Sequence, residues 1–282
     1  MAVDYKQKGH YEIDDLLEIM RLLRSPDGCH WDREQTNQSI RSNLLEETHE
    51  AIEAINQGDA NLLCEELGDI LLQIVFHCQI QQENSQFGFS DVVDGICKKL
   101  IIRHPHVFSD AKVENSSQIL ENWDKIKRKT KGGKTQADLL LSVPKSLPAL
   151  MRSAKVQSRA ARVGFDWSDV SGALKALKDE TIELEQAISD GNVERIEDEL
   201  GDVLFSAVNV SRFTDCDAEQ ALTNACNKFI RRFAVVEALA AEKGIDMADA
   251  NLSKLDELWK LAKSIINSKE INLSAQEDAE NL

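Results

Sequence analysis

Residues 65–72 read EELGDILL, and residues 198–205 read DELGDVLF. A shift of 133 positions extends this match without a gap from Leu44 to Leu72. Leu44 falls on Leu177, Glu47 on Glu180, Thr48 on Thr181 and Glu50 on Glu183. Ala54 and Ile55 fall on Ala187 and Ile188, Gly58 on Gly191, and Glu66-Leu67-Gly68-Asp69 on Glu199-Leu200-Gly201-Asp202. A gapless match of this length marks an internal duplication, so whatever the first half folds into, the second half builds again. Beyond the window the likeness loosens: Lys99 and Arg103 resemble Lys228 and Arg232, and Trp123 resembles Trp259.

The repeated unit is helical. Four Pro and thirteen Gly are spread over 282 residues, and the apolar periodicity runs in long segments, the pattern of helices rather than strands. Helices are predicted near 11–24, 36–57, 60–83, 89–102 and 115–129, then near 147–162, 169–189, 192–213, 217–242 and 251–266. Gly58 and Gly191 mark the turn between two antiparallel helices in each half. These elements predict an all-α chain of two tandem modules, 11–129 and 147–266. A linker over 130–146 and a polar, frayed tail over 267–282 complete it. The stretch KRKTKGGKTQ (127–136) is basic, Gly-containing and aperiodic, as a flexible linker is. Pro144 and Pro148 punctuate the entry to the second half.

Composition narrows the function. An apolar share of 42% provides for a real core. No apolar run approaches the roughly 20 residues that span a bilayer, and no N-terminal secretory pattern is present, so the expectation is a cytoplasmic protein with no membrane contact. The six cysteines form no C-x-x-C pair; they read as reduced core residues, not zinc ligands or disulfides. A net charge of −16 repels a nucleic-acid backbone. A phosphate-bearing ligand would need a divalent cation to mediate.

The duplicated carboxylates supply a place for that cation. Residues three apart share a helix face, so Glu47 pairs with Glu50 and Glu66 with Asp69, and their repeats pair likewise. Around Glu66 and Asp69 the residues Leu62, Leu67, Ile70, Leu71, Leu72, Val75 and Phe76 point in nearly every direction, which predicts a buried helix. Clustered carboxylates in a poorly solvated place repel one another, and a hard divalent ion such as Mg²⁺, or Mn²⁺ in its place, converts that liability into a site. Gly68 and Gly201 would let a neighbouring helix approach closely. Di-iron chemistry needs two Glu-x-x-His units. The chain offers Glu46-x-x-His49 once, with Asp179-x-x-Ile182 as its repeat, so that reading is set aside.

The stretches LLEETHEAIEAI, EELGDILLQIVFHCQ and KLIIRHPHVF, with the repeat in the second half, resemble the MazG family of nucleoside triphosphate pyrophosphohydrolases. DGCHWDREQT (27–36) fits the family's opening motif, except that His30 stands where Pro is usual. The resemblance spans roughly residues 12–266. It implies tandem all-α helical-bundle modules that form a homodimer, and Mg²⁺-dependent hydrolysis of (deoxy)nucleoside triphosphates to the monophosphate and pyrophosphate. It carries the family's metal-binding and catalytic carboxylates onto Glu180, Glu183, Glu199 and Asp202. Glu47, Glu50, Glu66 and Asp69 form the corresponding metal set of the first module. Lys228 and Arg232, four apart on one helix, become a phosphate clamp, and Trp259 a residue that stacks on a base or closes the pocket. His104 and His106 flank Pro105 and read as loop or cap residues.

Two further expectations come from the residues. Arg195 lies one turn before Glu199, within reach of a bound phosphate, and its repeat partner is Leu62; Lys178 is likewise replaced by Leu45. The second module should therefore carry most of the activity, as the resemblance also implies. No dense set of Asn, Gln or Ser marks a base pocket, which predicts broad base selection. The rival is a nucleotide-sensing module without turnover, against which the intact carboxylates of both halves argue.

Overall fold

The computed structural model describes residues 5–109 and 135–280, with side chains described as far as residue 268. The helix predicted near 115–129, Trp123 and most of the basic stretch 127–136 lie outside the described residues. Every regular element among the described residues is an α-helix. The first half holds α1 (Ile13–Leu23), α2 (His30–Glu34), α3 (Arg41–Gln57), α4 (Ala60–Glu83), α5 (Phe89–Arg103) and α6 (Pro105–Phe108). The second holds α7 (Gln136–Leu141), α8 (Ala149–Ala161), α9 (Val170–Asp190), α10 (Val193–Phe213), α11 (Ala218–Glu242) and α12 (Leu252–Glu280). The chain divides into two compact units, Met1–Gly132 and Gly133–Leu282.

Each unit is built on the duplicated hairpin, α3–α4 in the first and α9–α10 in the second. Both first helices end on a glycine with φ 69° and ψ 20°, Gly58 and Gly191. The Gly58 N–H donates to the Ile55 carbonyl and the Asp59 N–H to that of Ala54, both at 3.1 Å. Gly191 and Asn192 repeat this on Ile188 and Ala187 at 3.1 and 3.3 Å. This double closure satisfies the last carbonyls of the helix, and its left-handed residue favours glycine. The next residue then starts the second helix: the Asp59 side chain accepts from the N–H groups of Asn61 and Leu62, and Asn192 from that of Arg195. Ala54 and Ala187, like Val75 and Val208, are buried at equivalent positions.

Other helices hold each hairpin. In the first unit α1 lies on α4, with Met20, Ile40, Val75, Phe76 and Ile80 at the core. Arg24, buried at the end of α1, pairs with Glu83 at 2.7 Å and lies over the Phe76 ring, fastening α1 to the end of α4. In the second unit α8 packs on α10, and Gln157 Nε2 donates to the Phe205 carbonyl at 2.7 Å. α11, which also packs on α8, and α12 form a second core around Val236, Ala240, Leu258 and Ala262.

Five expectations are corrected. Helix α4 is not enclosed within its unit: α1, α3 and α5 cover part of it, leaving Leu67 53% exposed and Leu71 and Ile74 open beside it. Cys78 alone among the cysteines is buried; Cys29 is half-buried, while Cys64, Cys97 and Cys226 are exposed and free on helix faces and Cys216 is exposed in the connection between α10 and α11. A Cβ at Gly68 or Gly201 would meet nothing within 4 Å, so no helix of the same unit approaches there. The stretch read as linker contains α7, fastened by hydrogen bonds from Arg159 to the Leu139 carbonyl and Ser142 Oγ. The tail read as frayed continues α12 to Glu280, since its composition contains no Pro or Gly to stop a helix. No helix among the described residues is long and apolar enough to cross a membrane.

Candidate metal centres in the two hairpins

The short turn at Gly58 sets α3 beside α4, and the three-residue spacing turns their carboxylates toward one another. Oxygens of Glu47, Glu66 and Asp69 all lie within 4.8 Å of one another. Glu180, Glu199 and Asp202 repeat the group in the second hairpin within the same limit. Glu66 is only 8% exposed, rare for an acidic side chain. Glu47, Asp69, Glu180 and Glu199 are half-buried, and Asp202 is exposed. Glu50 and Glu183, the fourth members expected from the sequence, are exposed one turn along, and Glu50 lies within hydrogen-bond reach of Glu66.

Both groups are electrostatically loaded. Burial, and then the charges of Asp69, Glu50 and Glu66, push the Glu47 carboxyl above the ordinary glutamate value. Glu180 is pushed the same way by burial and then by Asp202, Glu183 and Glu199, the repeat-equivalent neighbours. Glu66 is raised by burial and then by Glu50, Glu65 and Asp69. Glu50 and Glu183 thus contribute to the field of the triads, and Glu50 also shares a hydrogen bond with Glu66. All six triad donors are carboxylates. Three converging anionic oxygens suit a hard divalent ion and leave positions for water and phosphate oxygens. His49 belongs to neither triad; it lines an open depression on α3 with Glu46, Glu50 and Glu53.

The expected cationic and aromatic residues separate into two places. Arg195 lies at the second triad, its guanidinium 3.4 Å from Glu199 Oε1 and 3.3 Å from Asp190 Oδ2. Lys228, exposed, and Arg232, half-buried, lie on α11, whose main partners are α12 and α8. Trp259 lies on α12; its ring is 5.0 Å from that of Phe229 on α11 and tilted by 40°, half-buried at the edge of the α11–α12 core. Asp190 escaped sequence reasoning. Its signal was its position, the last residue of α9 with the uncharged Gln57 as its repeat partner.

The fold and these triads define a class: an all-α protein of duplicated helical modules, each carrying an all-carboxylate candidate site for a divalent cation. The model of the MazG nucleotide pyrophosphohydrolase domain matches residues 35–108 and again 169–236. The chain belongs to the MazG nucleotide pyrophosphohydrolase family. It is 43% identical over 257 residues to the nucleoside triphosphate pyrophosphohydrolase of Escherichia coli K12, covering 89% of this chain and 97% of that one. The nucleoside triphosphate pyrophosphohydrolase/pyrophosphatase MazG of Thermotoga maritima is 42% identical over 250 residues, covering 89% and 95%. Among solved structures, a mazG-related protein from Thermotoga maritima aligns with a TM-score of 0.36 and 25% identity, over 41% of this chain and 98% of that one.

Proposed function

We propose that the chain hydrolyses ribo- and deoxyribonucleoside triphosphates to the monophosphate and pyrophosphate with Mg²⁺, or Mn²⁺ in its place, mainly in its second module and with broad base selection. Family membership makes it a nucleoside triphosphate pyrophosphohydrolase. The observation that carries the metal dependence is the pair of all-carboxylate triads, each held within 4.8 Å and with Glu47, Glu66 and Glu180 driven upward by burial and neighbouring charge.

In the second module Glu180, Glu199 and Asp202 hold the cation, with Glu183 as a fourth carboxylate; Glu47, Glu66, Asp69 and Glu50 form the set in the first. Mg²⁺ held by these carboxylates would supply Lewis-acid neutralisation of the phosphate oxygens and of the departing pyrophosphate. A water held by a carboxylate of the set is the nucleophile. Arg195 takes a phosphate oxygen by a charge-assisted hydrogen bond, with Lys228 and Arg232 as a further phosphate clamp and Trp259 as the residue against the base. Phosphate and metal contacts do not distinguish bases, which is why selection is broad.

The same reading includes a homodimer, supported by the uncovered apolar residues of both hairpins, Leu67, Leu71 and Ile74 in one and Leu200 and Leu204 in the other. It includes no nucleic-acid partner, in keeping with the net charge of −16, and a cytoplasmic location, where nucleoside triphosphates are found. The test is product analysis over a panel of NTPs, dNTPs and diphosphates, with Mg²⁺ present or chelated. Pyrophosphate from several triphosphates, little turnover of diphosphates and none under chelation is the expected outcome. Orthophosphate as the product, undiminished turnover under chelation, or a 100-fold preference for one base in kcat/KM would each remove the corresponding part of the proposal.

A further inference from the structure

The two hairpins invite comparison, because their turns and caps agree while the side chains beside the triads differ, among them one cation and its partner. Asp59 caps α4 by accepting from the Leu62 N–H at 3.1 Å, and Asn192 caps α10 by accepting from the Arg195 N–H at 3.2 Å. Positions 62 and 195 are therefore fixed by equivalent caps at the same place in the helical turn. The first module places an apolar residue there, and the second a cation. The partner differs in concert: Asp190, which anchors the other side of the Arg195 guanidinium at 3.3 Å, corresponds to Gln57. Both members of an ion pair are present in one module and both are absent from the other.

The consequence lies at Glu199. The Arg195 guanidinium is 3.4 Å from Glu199 Oε1, and the Glu199 side chain is only 13% exposed, so the contact engages a carboxylate that presents little surface to water. Glu199 is also one of the three converging donors of the second triad. A divalent ion arriving there meets a positive charge already in place on one of its ligands. The Arg195 side chain is itself 45% exposed, so it is held by the two carboxylates and not by packing, and it is free to leave when a stronger anion appears. A triphosphate is such an anion.

We propose that Arg195 is an internal counter-ion that weakens divalent-cation binding at the second triad until a nucleotide draws it away, so that metal and nucleotide load this module together. The first module, with Leu62 and Gln57, binds the cation without that coupling. The inference rests on the metal reading of the triads and adds a loading order to it. Exposed and half-exposed ion pairs are weak. With the repulsion between guanidinium and metal added, the expected effect is about 3- to 10-fold in cation affinity.

The test is Mn²⁺ titration of the full chain, read by the EPR signal of free Mn²⁺ and without nucleotide. The first triad is disabled by Glu66→Gln with Asp69→Asn, and Arg195 is compared with Arg195→Leu. Arg195→Leu is expected to bind Mn²⁺ about 3- to 10-fold more tightly, and the difference is expected to shrink or reverse when α,β-methylene-ATP is added. The reciprocal graft, Leu62→Arg with Gln57→Asp in a chain whose second triad carries Glu199→Gln and Asp202→Asn, is expected to weaken Mn²⁺ binding at the first triad. It supplies the answer even if Arg195→Leu folds poorly. Unchanged or weaker binding in Arg195→Leu, or no loss in the graft, overturns the inference while the metal reading stands. Failure of both triads to bind Mn²⁺ in any version overturns both.

Discussion

Glu180→Gln should make the metal-free protein more stable and the loaded protein less so. The carboxylate oxygens of Glu180, Glu199 and Asp202 lie within 4.8 Å of one another. At that separation each pair of charges repels by about 0.9 kcal/mol in water and about 3.5 kcal/mol at an effective dielectric of 20. Asp202 is exposed, Glu180 and Glu199 are only half-buried, and salt screens such a site, so the aqueous figure is the closer guide. Removing one charge removes two repulsions, which gives about 1–2 kcal/mol. For a unit of this size that corresponds to a rise of about 2–8 °C in melting temperature. Saturating Mg²⁺ and nucleotide at a hundredfold over Kd should add about 2.7 kcal/mol to the native protein and far less to the variant, so the order of the two melting temperatures reverses. The pH dependence has a definite sign. Because burial and then Asp202, Glu183 and Glu199 raise the Glu180 carboxyl above its ordinary 4.5, the folded chain holds that proton more tightly than the unfolded chain does. The resulting stability is fully present below about 4.5 and is lost as pH rises through the raised folded value. The gap between variant and parent in the metal-free protein should therefore open as pH rises from about 4.5 through the raised folded value and level off above it. Calorimetry in EDTA and in Mg²⁺ plus nucleotide, at several pH values, measures all of this. A variant no more stable than its parent in EDTA at neutral pH would refute the reasoning.

Other outcomes follow from the same geometry. Glu180→Gln with Glu183→Gln should remove most pyrophosphate release, whereas Glu47→Gln with Glu50→Gln should leave most of it; the opposite result moves the activity to the first module. Gly191→Ala should destabilise the second unit by about 1–2 kcal/mol, because its φ of 69° is left-handed although a Cβ there meets nothing; an unchanged denaturation midpoint would contradict this. Leu204→Asp, on an exposed position of α10, should leave the fold intact and weaken self-association in sedimentation, and an undiminished dimer would take that face out of the interface.

The sequence made the hairpins and their acids legible because a duplication records the same local physics twice. Gly58 and Gly191 were readable as turns since left-handed backbone needs a residue without a Cβ. Glu66 and Asp69 stood out because carboxylates amid leucines need a partner. The rest depended on three-dimensional distances that spacing does not carry. Three-residue periodicity places Glu50 on the face of Glu47, but only the approach of α4 decides that Glu47 converges with Glu66 and Asp69 while Glu50 meets Glu66 alone. Arg195 was foreseen near Glu199, but its second anchor, Asp190, reaches it across the Gly191 turn, where helical spacing no longer applies. The apolar surroundings of Glu66 were read as burial on every side, whereas Leu67, Leu71 and Ile74 remain open. Hydropathy tells that a face needs covering and is silent about what covers it. The same reason applies to the exposed Cys64, Cys97 and Cys226, whereas Cys216 lies in the connection between α10 and α11.

The most direct measurement is anomalous diffraction from crystals of the full chain soaked with Mn²⁺ and α,β-methylene-ATP. The expected result is a manganese peak among Glu180, Glu199 and Asp202, with its counterpart among Glu47, Glu66 and Asp69, and phosphate oxygens completing the coordination in the second module. Manganese bound elsewhere with both triads empty would contradict the assignment of these carboxylates as the metal centres.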